Sequence, residues 1–292
     1  IGDYLLKFSE SEINTYFENW LAQINKYLQQ EPTKSQMNGL MGFSLLHYFF
    51  KDVDQLKNCL GTIYEMFKSK NIEIAKAATQ AVYWLSHETP DAVNLLKTPL
   101  NMAFKWIANK DSEFYTNALL IIKKAKKFAD LEVAQLVVSN HSNVFQLIFN
   151  NDIHVKQLAV NIIAFEIKQL APSSNPSFES TLTTCIKYIG KKDIKKLYGP
   201  LLILEKLLGT TPNILLPYYK NLVSDLSTIA LSNVDDISIT AQNVALGIAN
   251  SYYDRASINR LFQSFLTKCI KVNPNPLFFK GIKNAIIKFE AE

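Results

Sequence analysis

Arginine is almost missing from this chain: Arg255 and Arg260 stand among 31 basic side chains, and the other 29 are lysine. Nucleic-acid grooves exploit the planar, bidentate arginine fork, so the formal charge of +5 is a poor argument for a nucleic-acid partner. The abundance of Lys, Asn and Ile reads more simply as codon bias in an AT-rich genome. Nine glycines and ten prolines are few for 292 residues, and an all-β protein with many tight turns would need more. Cys59, Cys185 and Cys269 are odd in number and widely spaced, which fits buried thiols in a reducing compartment better than a disulfide framework. No run of about eighteen uncharged apolar residues exists to span a membrane. The chain opens on Ile1 without a basic flank or a small-residue cleavage site, and it reads as a piece of something longer.

Catalytic signatures are missing too. His47, His87, His141 and His154 have no HExxH or CxxC spacing with a partner ligand. Gly190-Lys-Lys resembles a phosphate loop only superficially. There is no GxGxxG, no GxSxG elbow and no kinase HRD or DFG signature. The expectation is therefore no catalytic residue, no metal site and no cofactor in this segment.

What the chain does have is a period. Hydrophobic residues make up 48% and charged residues 20%, enough for a continuous core and against disorder. Short polar turns fall at Pro32, Asn71, Asp111, Asp152, Asp193, Asp236 and Asn275, with gaps of 39, 40, 41, 41, 43 and 39. About forty residues is the range of HEAT and armadillo helix pairs. After each turn an apolar residue follows (Ile74, Phe114, Val155, Leu197, Ile239, Phe278), then a small one. The small positions are Gly39, Ala78, Ala118, Ala159, Gly199, Ala241 and Gly281, and they read as close contacts within each helix pair. The Asp or Asn at most turns has the chemistry of an N-cap.

First helices are expected at 13–29, 53–69, 91–108, 131–150, 176–189, 212–232 and 255–272. Pro99 and Pro217 should kink them or break a first turn, and Asn140-His-Ser-Asn143 is a possible interruption of the fourth. Pro90, Pro176, Pro212 and Pro276 suit first-turn positions. The fold class is thus an all-α, HEAT-type α-solenoid of about seven antiparallel helix pairs forming a curved superhelix. Its approximate units are 10–51, 52–88, 89–129, 130–171, 175–209, 211–250 and 255–290. One pair cannot bury its apolar faces alone, so the expectation is a single solenoid over 1–292 rather than separate globules.

Two basic patches are candidate interaction sites: Lys123, Lys124, Lys126 and Lys127, and then Lys187, Lys191, Lys192, Lys195 and Lys196. They could meet an acidic protein, a phosphorylated peptide or nucleic acid. The plainer reading makes both patches solvated helix ends, with lysines in last turns favoured by the helix dipole. Tyr218, Tyr219, Tyr252 and Tyr253 are available for stacking, although aromatics in a solenoid are mostly core. Trp106 with Asp111 has the residue types that HEAT-like DNA glycosylases use on a damaged base. Packing for Trp106 and capping for Asp111 explain the two equally well.

In register, the first two hundred or so residues resemble the N-terminal HEAT region of the target of rapamycin (TOR) kinases. The likeness starts at Ile13-Asn-Thr-Tyr-Phe-Glu-Asn-Trp-Leu and Gly39-Leu-Met-Gly-Phe-Ser-Leu-Leu. It continues through Ile74-Ala-Lys-Ala-Ala-Thr-Gln-Ala-Val-Tyr-Trp-Leu and Ala103-Phe-Lys-Trp-Ile-Ala-Asn-Lys-Asp111. Val144-Phe-Gln-Leu-Ile-Phe and Asp193-Ile-Lys-Lys-Leu-Tyr-Gly-Pro-Leu-Leu-Ile-Leu204 follow at the expected distances. The resemblance implies the arm of a large serine/threonine kinase in nutrient and growth signalling, with its catalytic portion elsewhere. It also implies Raptor-like or Rictor-like adaptor partners, participation in a dimeric complex, and a cytoplasmic place or a peripheral one on endomembranes through partners. The alternatives are a stand-alone importin-like transport or assembly adaptor, a class that is typically acidic, and the glycosylase.

Overall fold

The computed structural model describes residues 10–30, 33–46, 57–85, 93–109, 113–125, 131–170, 176–230 and 232–251. The seventh unit at 255–290 lies outside the described residues, as do Pro32, Pro90, Asp111, Asn275 and Pro276. So do His47, His87, Lys126, Lys127, Tyr252, Tyr253 and Cys269. No strand occurs among the described residues. The chain divides into two compact units, 1–143 and 144–292.

In the first unit, α1 (Glu10–Leu28) pairs with α2 (Thr33–Leu46) and α3 (Lys57–Met66) with α4 (Ile72–Leu85). The third pair is α5 (Val93–Ala108) with α6 (Tyr115–Ala125), and α7 (Leu131–Ser139) follows. The second helices stack in sequence, α2 on α4 and α4 on α6. Gly39 shows why a small residue is needed within a pair. A Cβ there would lie 2.9 Å from the Leu28 side chain and 3.0 Å from its backbone nitrogen. Ala75, Ala78 and Ala81 of α4 and Ala118 of α6 are fully buried.

The fourth first helix breaks at Asn140, as its polar sequence predicts. Asn140 Nδ2 donates to the Leu136 carbonyl at 2.9 Å, and a second short helix, α8 (His141–Gln146), runs on into a 3₁₀ turn at Leu147–Phe149. In the second unit that 3₁₀ turn packs on α9 (Ile153–Leu170). Then α10 (Pro176–Lys191) pairs with α11 (Ile194–Leu208), and α12 (Tyr219–Ile229) with α13 (Asp235–Ser251). Here too the second helices stack, α9 on α11 on α13. Pro217 has the predicted effect: residues Pro212–Tyr218 form a 3₁₀ segment and the α-helix starts only at Tyr219. Pro99 instead sits inside a continuous α5.

The turns repeat a chemical motif. Backbone N–H groups of Asn71, Asp152 and Val234 donate to side chains two residues earlier, on Ser69, Asn150 and Ser232. Asn71, Asp152 and Asp193 then cap the next helix by accepting from the N–H of Glu73, His154 and Lys195 at 3.0, 2.8 and 3.2 Å. Asp236 breaks the expected pattern, because α13 begins at Asp235 and Asp236 already lies in its first turn. The apolar register moves with it: Ile237 is buried, while Ile239 is only half-buried. Gly199 corrects a second expectation. A Cβ on it would collide with the carbonyl oxygen of Ile148, so the close approach joins neighbouring pairs rather than the two helices of one pair.

Candidate interaction surface

In the first basic patch, Lys126 and Lys127 lie outside the described residues, and Lys124 is not on the surface. Lys123 is exposed, but Lys124 is only 4% exposed, with its Nζ 5.8 Å from the centre of the Tyr83 ring. Both α5 and α4 pack on α6, so the buried arc of α6 is wider than one stripe and takes in Lys124. Its aliphatic stem packs while the ammonium meets an aromatic face.

The second patch is exposed throughout. Lys187 and Lys191 share a face of α10 one turn apart, Lys192 occupies the turn, and Lys195 and Lys196 lie in the first turn of α11; all five are exposed. Lys192 has φ 55°, a left-handed position usually filled by glycine or asparagine at a helix end. Its Nζ stands 3.7 Å from Asp225 Oδ1. Lys196 Nζ lies 5.6 Å from the centre of the Tyr188 ring. The helix dipole favours Lys191 in the last turn of α10 but opposes Lys195 and Lys196 in the first turn of α11. The dipole therefore does not account for Lys195 and Lys196, two of the five lysines.

A neighbouring set was not singled out from sequence. Lys156 of α9 places its Nζ 5.3 Å from the Tyr198 ring of α11, and partial burial lowers its pKa. Burial raises the pKa of the Tyr198 hydroxyl, and the carboxylates of Asp236 and Glu205 add to the rise. Glu205 Oε1 accepts from Asn243 Nδ2 at 2.8 Å, tying α11 to α13. Further along α9, Phe165 remains 38% exposed. The second helices of this unit thus carry mixed polar and aromatic groups bridging one helix to the next. Tyr198 and Asp236 were read only as parts of repeat patterns, and Lys156, Phe165, Glu205 and Asn243 stand in no sequence motif, so the set was not recognised from sequence.

Trp106 is held by packing. Its ring stacks on Phe114 at 4.5 Å and 14° and meets the Phe67 ring edge-on at 6.2 Å. His141 is buried and His154 exposed. Cys185 is a buried free thiol whose pKa is pushed up by burial. No helix among the described residues is long and apolar enough to cross a membrane.

Stacked helix pairs with equivalent second helices in a row define an all-α repeat solenoid. Solved structures with a similar fold include designed proteins. A designed armadillo repeat protein in complex with the peptide (KR)4 superposes with a TM-score of 0.52 at 13% identity, over 78% of this chain and 99% of that one. Computationally designed armadillo repeat proteins for modular peptide recognition give 0.50 at 14% identity, over 78% and 99%. A further engineered protein gives 0.51 at 13% identity, over 78% and 98%. At these identities the likeness is one of fold. No protein-family model and no curated protein matches the sequence.

Proposed function

We propose that this chain is a helical-repeat scaffold that binds protein partners and assembles complexes, with residues 1–292 forming one solenoid. The observation that carries the reading is the row of equivalent second helices, α9, α11 and α13, with Phe165, Tyr198, Glu205 and Asn243 on or between them. Such a row offers a partner the same helix face again and again, and the designed armadillo proteins of like fold include one in complex with a peptide.

The more specific form of the proposal is the N-terminal arm of a TOR-like serine/threonine kinase in growth signalling. It is supported by the likeness of residues 13–204 to that arm. In this form the partners are Raptor-like or Rictor-like adaptors, the parent complex is dimeric, and the setting is cytoplasmic or peripheral on endomembranes.

Two measurements test these levels separately. Peptides selected from a display library against the folded chain should slow amide exchange in α9, α11 and α13, and should lose affinity on Phe165→Glu. Selection of no ligand would contradict the scaffold reading. Purified Raptor-like or Rictor-like subunits should bind the immobilised chain, and failure of both would contradict the TOR-like form alone.

A further inference from the structure

Three consecutive turns of the second unit leave an aliphatic side chain in solvent where a second helix begins, Ile153 and Ile194 at the first helical residue and Val234 one position earlier, at the cap. Ile153 opens α9 and is 40% exposed; Ile194 opens α11 and is 52% exposed; Val234 immediately precedes α13 and is 42% exposed. Isolated exposed aliphatics are ordinary. Their recurrence at the starts of successive second helices is different, because α9, α11 and α13 stack in order. Packed helices lie about 8–10 Å apart, which sets the spacing expected between aliphatic groups at the starts of successive second helices. The central member sits among Lys191, Lys192, Lys195 and Lys196, all exposed. Two of these lysines oppose the dipole of the helix they begin, and a third occupies a left-handed position. At the far end, exposed Asp235 and Asp236 reverse the sign.

We propose that this edge binds an extended acidic segment of a partner protein that carries an aliphatic residue at every third position. Polyproline II geometry advances about 3.1 Å per residue with three residues per turn, so every third side chain shares a face at about 9 Å spacing. That repeat matches the helix-to-helix spacing of the row. The two side chains between successive aliphatics project to either side of the seated column, where their carboxylates are complementary to the long, exposed lysine side chains. The acidic stretch should end before the aliphatic seated at Val234, where Asp235 and Asp236 repel it. A phosphate backbone suits the edge less well. Exposed Asp152, Asp193, Asp235 and Asp236 are interleaved with the cations, the exposed apolar groups are aliphatic rather than stacking aromatics, and no arginine lies on the edge among the described residues.

This inference rests on the protein-binding reading and names its surface and partner chemistry. The test is fluorescence anisotropy with the full chain and a labelled peptide of repeating Glu-Glu-Leu. Saturable binding is expected, weakened about tenfold or more by Lys191→Glu with Lys195→Glu, and likewise by Ile153→Ser with Ile194→Ser. These side chains are exposed, so thermal unfolding of both variants should match the parent and separate lost binding from lost folding. Equal affinity for a Glu-Glu-Ser repeat, unchanged binding by either variant, or tighter binding of labelled polyuridylate would overturn the proposal. If library selection yields ligands that protect α9, α11 and α13 while the Glu-Glu-Leu peptide does not bind, the edge is refuted and the scaffold reading stands. Failure of both experiments would remove both.

Discussion

Gly199 and Gly61 are both helical, yet their surroundings make opposite demands. A Cβ on Gly199 runs into the Ile148 backbone, which cannot swing aside as a side chain can, whereas a Cβ on Gly61 meets nothing within 4 Å. Gly199→Ala should therefore cost about 2–3 kcal/mol through forced separation of neighbouring pairs. Gly61→Ala should gain about 0.5–1 kcal/mol by removing backbone freedom from the unfolded chain. Urea unfolding of the two variants against the parent measures both, and equal effects would contradict the assigned contact. The need for a small residue at position 199 was legible from its recurrence every forty residues or so. Its neighbour was not, because periodicity along a chain does not say which helix lies across a gap. Lys124 fails for the same reason: a helical wheel gives one buried stripe, but two helices cover α6.

Helix boundaries show where local chemistry decides and where it is overridden. The break at Asn140 and the 3₁₀ segment around Pro217 were readable because a competing side-chain amide and a missing N–H act locally. The start of α13 was misread by two residues: the cap is Val234 rather than Asp236, and the adjacent Asp235 and Asp236 both fall in the first turn. Asp152 and Asp236, identical by repeat alignment, consequently have different roles. Asp152 Oδ1 accepts from the N–H groups of His154 and Val155 at 2.8 and 3.4 Å, while Asp236 lies inside the first turn. Asp152→Ala should destabilise by about 1 kcal/mol. Asp236→Ala should lose only a dipole contribution of about 0.3–0.5 kcal/mol. Chemical denaturation should resolve the difference, and a larger loss at Asp236 would restore the original register.

For the whole molecule, the repeat was visible because its physics is nearest-neighbour: each pair buries apolar surface only against the next, so each unit carries a similar pattern. The binding surface was less visible, because exposed residues are free of that periodic constraint. Lys187, Lys191, Lys192, Lys195 and Lys196 stood out as a charge run, but the aliphatic row beside them emerged only when α9, α11 and α13 were seen side by side. The most direct test of the repeat architecture is hydrogen–deuterium exchange of the intact chain followed by mass spectrometry. The account predicts protected blocks over the helix pairs, separated by fast-exchanging turns at 69–71, 150–152, 192–193 and 232–234. Protection running unbroken through those turns, or fast segments falling without relation to them, would contradict it.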